Sequence, residues 1–126
     1  MRFLVLSRGE VVGASDLPWI DVGMGVVSGP FHPNERYATI QPTIRAHHFA
    51  DGSLGSHNPV ALEQARQRIE ELQLRVQTQD GKPLECNTVF LTDFSQELEE
   101  NSMEVTIYGF EPETLCAFWP TEYATR

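Results

Sequence analysis

The sequence predicts a single-domain α+β protein, an antiparallel sheet of about six strands with helices on one face. Three observations predict it. Several short stretches alternate apolar and polar residues with a period of two. Glycine-centred turns separate those stretches. Two other segments repeat their apolar residues every three to four positions, the spacing of a helix face. The 126 residues, 40% of them hydrophobic, fit one domain that can build its core without a metal or disulfide.

RFLVLSRGEVVGAS opens the chain as strands at about 2–6 and 10–14, turning tightly on Arg8-Gly9. A connection containing Pro18 and Trp19 leads to a third strand, MGVVSGPF at 24–31, interrupted by Gly29 and Pro30. Pro33 then opens a helix-like stretch with Tyr37, Ile40 and Ile44 on one stripe. Pro42 lacks a donor N–H and spoils a continuous helix, which leaves 43–49 open between helix and strand.

The clearest helix follows. Asn58 caps it, Pro59 is its first residue, and Ala61, Ala65, Ile69 and Leu72 form its inner stripe to about 71. At Leu72 the period changes to two, so Leu72, Leu74, Val76 and Thr78 mark a half-buried strand. Asp80-Gly81 makes the next turn, LECNTVFLT returns, and MEVTIYGF is the last strand. Pro112 starts a helix carrying Leu115, Phe118 and Trp119, and Pro120 stops it. FLVLSRGEVVG with GVVSGPFHPNERY parallels LRVQTQDGKPL with EVTIYGFEPETL. The parallel raises a duplicated β-β-β-α unit, with pseudo-repeats at 1–50 and 72–126.

Charge is segregated. Residues 1–82 hold nine acids and eight arginines and lysines, whereas 83–125 hold nine acids and no lysine or arginine. Such a surface repels phosphate backbones, which argues against nucleic-acid binding and for a basic protein partner. Glu97, Glu99 and Glu100 concentrate this charge in one loop. Trp19 in DLPWID and Trp119 before Pro120 are the candidate exposed anchors, because tryptophan is enriched where interfaces bind most strongly. The sheet could also pair edge to edge in a homodimer.

Residues 46–59, AHHFADGSLGSHNP, hold three of the four histidines. One of His47 and His48, together with Asp51 and His57 and with His32 as a fourth group, supplies ligand types for a metal-dependent hydrolase. Adjacent histidines diverge on a helix or a strand, so the simpler expectation is a loop without metal. In that account one of His47 and His48 continues the apolar stripe and Asp51-Gly52 ends the element.

No GxSxG, P-loop or strand–GxGxxG–helix pattern occurs, and Gly23, Gly25 and Gly29 suit turns or bulges. Cys86 and Cys116 have no ligand spacing and are expected as buried free thiols. The short apolar runs predict neither a signal sequence nor a membrane span, hence a cytoplasmic protein. The leading expectation is a non-catalytic interaction module, without a cofactor, whose acidic C-terminal third docks on a basic partner as an inhibitor or antitoxin-like neutraliser would. The hydrolase is the alternative, and a small-ligand-binding domain is the third.

Overall fold

A computed structural model describes residues 2–52, 58–98 and 102–124, which form eight strands and four α-helices. The antiparallel α+β class holds throughout. β1 (Phe3–Ser7) and β2 (Glu10–Ser15) make the expected hairpin. Its two turn residues, Arg8 and Gly9, sit at φ 51° and 81°. That positive-φ pair gives the turn a twist matching the strands it joins. β5 (His32–Pro33) lies beside β2, and β6 (Leu74–Thr78) lies beside β1. A second sheet takes β3 (Trp19–Asp21), β4 (Val26–Pro30), β8 (Met103–Tyr108) and β7 (Thr88–Asp93), in that spatial order.

The six expected strands are all present, but they divide between two four-stranded sheets and two short strands join them. The division begins at Phe31. Its N–H donates to Met103 O in the second sheet, while the next two residues pair with β2 in the first. Pro30 tolerates this position because β3 pairs with β4 only as far as Ser28, so no ladder bond is asked of the missing donor. β3 itself falls in the stretch expected to be a plain connection. The Asp80-Gly81 turn also differs from expectation. The chain returns for a Gln77–Pro83 bridge flanked by bonds from Thr78 N–H to Lys82 O and from Leu84 N–H to Val76 O, then crosses to the second sheet. β7 therefore starts at Thr88 and not at Leu84. β1 pairs with β6 and β4 with β8, the corresponding strands of the two similar halves, but the hairpin closes only in the first half.

Pro33 leads into a 3-10 turn at Glu35–Thr39, capped by Asn34, whose side chain accepts from Arg36 N–H. Pro42 then opens a helix instead of ending one, because a proline in the first turn removes only a donor that has no partner there. That helix, α1 (Gln41–Ala50), settles 43–49 as helical. Ile44 and His48 are buried on it, and Tyr37 and Ile40 extend that buried stripe back through the turn before it. Asp51 is the C-cap, and Gly52 follows at φ 92°, the left-handed geometry that ends helices. α2 (Pro59–Glu71) matches the expected span, with Asn58 Oδ1 accepting from Val60 and Ala61 N–H. α3 (Pro112–Phe118) stops as expected, but Pro120 also starts α4 (Pro120–Ala124).

One core joins both sheets and the helices: Phe3, Val76, Val105, Ile107, Ile44 and Leu115 all lie within it. Both cysteines are free. Cys86 is half-buried and its thiol is pushed up by burial, whereas Cys116 is exposed, contrary to the expectation that both are covered.

Candidate functional site

Two regions gather the residues singled out by the sequence. The first is the last turn of α1, where it packs against β7. Ligand-type atoms of His47, His48 and Asp51 lie within 4.8 Å of one another. The divergence of adjacent histidines is real, since their rings are 6.2 Å apart at 75°. Asp51 closes the set because it stands four residues from His47 and three from His48, both helical neighbours. His47 Nδ1 is 3.5 Å from Asp51 Oδ2 and, among the described residues, makes no hydrogen bond although the atom is buried. The two side chains retain 12% and 25% exposure, although His47 Nδ1 itself is covered.

His48 is different. It is 2% exposed, stacked on Phe94, and its Nε2 accepts the Asp93 N–H at 3.0 Å. That commits the Nε2 lone pair and places the neutral ring's proton on Nδ1. Burial keeps the ring neutral by lowering its pKa. His32 lies on β5, paired with Ala14 and outside this cluster, and His57 lies outside the described residues.

Asp93 anchors a buried network beneath. Its Oδ2 accepts from Tyr37 Oη at 2.6 Å and Gln41 Nε2 at 2.9 Å, and its Oδ1 from Ser95 N and Oγ at 2.9 and 2.6 Å. Burial alone would raise its pKa, but these donors together hold it below the ordinary carboxylate value. Arg45 donates to Asp93 O and forms an ion pair with Glu97. That bond to Arg45 holds the Glu97 carboxyl down. Glu97, expected as a docking group, is thus tied to α1. Glu99 and Glu100 lie outside the described residues.

The second region is a groove of about 250 Å³ lined by Trp19, Pro30, Thr92, Phe94, Ser102, Met103 and Glu104. Trp19 is 52% exposed on the short edge strand β3. Phe94 N–H donates to Ser102 O, so the two groove residues that bracket the acidic stretch in sequence are joined. Trp119 does not line this groove. It is 4% exposed, stacks on Phe3 at 5.2 Å and donates Nε1–H to Leu17 O. Its position four residues after Leu115 puts both on the inner face of α3, which the sequence weighed less than the neighbouring Pro120. Tyr37 and Asp93 were missed as a pair, because 56 residues separate them and no spacing rule links them.

Comparison with known proteins found no matching family model, no matching curated protein and no matching solved structure.

Proposed function

We propose that the chain is a non-catalytic protein-interaction module that docks on a basic partner, as an inhibitor or neutraliser would, through the Trp19 groove and the acidic residues that follow Phe94 in sequence. The observation carrying this reading is that the exposed indole of Trp19 and the acidic residue Glu104 line one groove, together with Phe94 and Ser102, the residues between which the acidic stretch runs in sequence. An indole flanked by the Glu104 carboxylate suits a lysine or arginine side chain, which gains both cation–π and charge attraction. Glu85, Glu104, Glu111, Glu113 and Glu122 are all exposed, so the wider field favours encounter with a cationic surface. Trp119 takes no part, and Glu97 serves by fixing the segment's base through Arg45. Tyr37 and Asp93, which elsewhere could act as acid and base, are occupied in holding the turn before α1 to β7.

The test uses arrays of defined peptides of equal length and graded lysine and arginine content. Basic peptides are expected to bind in preference to neutral ones, and more weakly as ionic strength rises. Trp19→Ala should weaken the best peptide by about 2 kcal/mol, roughly 30-fold, the scale of an interface anchor. Glu104→Lys should slow association. Binding indifferent to peptide charge, or unchanged in Trp19→Ala, would remove the basis for this reading.

A further inference from the structure

The geometry points to a divalent transition-metal site at the C-terminal turn of α1, chelated by His47 Nδ1 and the Asp51 carboxylate, with the remaining coordination positions open to water or an incoming ligand. It lies apart from the Trp19 groove, which shares none of its residues.

Three features carry it. Two tetrahedral zinc ligands, one nitrogen and one oxygen, sit about 3.4 Å apart when each bond is about 2.1 Å. His47 Nδ1 and Asp51 Oδ2 are 3.5 Å apart. A buried ring nitrogen without a hydrogen bond is costly, and His47 Nδ1 has that status among the described residues. A metal between the two atoms would satisfy the nitrogen at their present separation. The spacing also supports chelation, because residues four apart on a helix project side by side and the ring of His47 is braced edge-on by Phe90 at 5.7 Å.

His48 is excluded as a ligand by the same chemistry. Metal on its Nδ1 would require the proton to sit on Nε2, where it would face the Asp93 N–H that Nε2 now accepts. The site is therefore a two-residue chelate of imidazole and carboxylate, a donor pair suited to zinc, nickel or cobalt. Such a site, with water completing the shell, has the open positions on which metal-assisted chemistry or bridging to a second histidine depends.

The experiment titrates zinc into the full, untagged, chelator-stripped chain by calorimetry, with far-ultraviolet circular dichroism confirming that each variant is folded. One equivalent of zinc is expected. His47→Ala and Asp51→Asn should each weaken binding about tenfold or more, the least that disturbing a metal's surroundings produces. His48→Gln, which keeps an acceptor for the Asp93 N–H, should bind as the wild type does. A second readout needs no variant: zinc should shift the Nδ1 resonance of His47 in nitrogen-15-labelled protein and leave that of His48 Nε2 in place. Absence of zinc binding would overturn the proposal. So would several equivalents insensitive to His47→Ala, which would mark adventitious binding to surface carboxylates. Loss of binding in folded His48→Gln would overturn the two-residue assignment.

Discussion

A carboxylate with no exposed surface either meets hydrogen-bond donors or takes up a proton, and Asp93 meets four of them. Removing one donor leaves the charge in place with one partner fewer, so the cost is the desolvation of that lone pair. Tyr37→Phe should therefore destabilise the protein by about 1–3 kcal/mol, measured by urea unfolding. A loss under about 0.5 kcal/mol would mean that the network is slack. Neither residue stood out in the sequence, where Tyr37 was one member of an apolar stripe and Asp93 one acid among many. A partner so distant in the chain leaves no periodic signal. The His47–Asp51 pair is the opposite case. Its spacing was there to be read, but attention to the two adjacent histidines concealed the fourth-residue relation that brings the ligand-type atoms together.

Elements whose ends carry capping chemistry were legible, and those decided by a distant strand were not. The start of α2 is legible to the residue because Asn58 and Pro59 declare it, and the stripe through Ala65 marks its inner face. Asn58→Ala should cost about 1 kcal/mol, since two N–H groups lose the acceptor they share. Thermal unfolding would register the loss, and an unchanged midpoint would show that other groups cap the helix. α1 stayed ambiguous because Pro42 can end a helix or begin one, and only the turn packed before it decides. β3 is three residues long at a sheet edge, too short to display alternation. A finer case is Gly13, where an added Cβ would stand 2.5 Å from the Phe31 ring. That contact lies at the bend by which the chain passes between the sheets. Gly13→Ala should thus destabilise by about 1–3 kcal/mol through overpacking, a constraint that alternation along β2 does not reveal.

At the scale of the whole molecule, three buried groups and a net charge of −9 compete to set the pH range of stability. Burial lowers His48 from its ordinary 6.5, so its contribution is complete above 6.5 and declines as pH falls and the unfolded chain takes up the proton first. Asp93 is held below 3.8, so its contribution is complete above that value and is lost as pH falls further. Tyr37 is raised above 10.0 by burial and by its bond to Asp93, so its contribution is complete below 10.0 and is lost as pH rises beyond it. Protonating exposed glutamates acts the other way by relieving repulsion in the C-terminal third. Those charges are solvated and screened, so each contributes a few tenths of a kcal/mol at most, and the buried groups prevail. The melting temperature of chelator-treated protein should accordingly be highest between about pH 6.5 and 10 and fall in two stages on the acid side. His48→Gln should abolish the first stage and keep the second. If the melting temperature instead climbs steadily from pH 8 to 4, repulsion among the surface glutamates governs stability, and the buried network is the lesser influence.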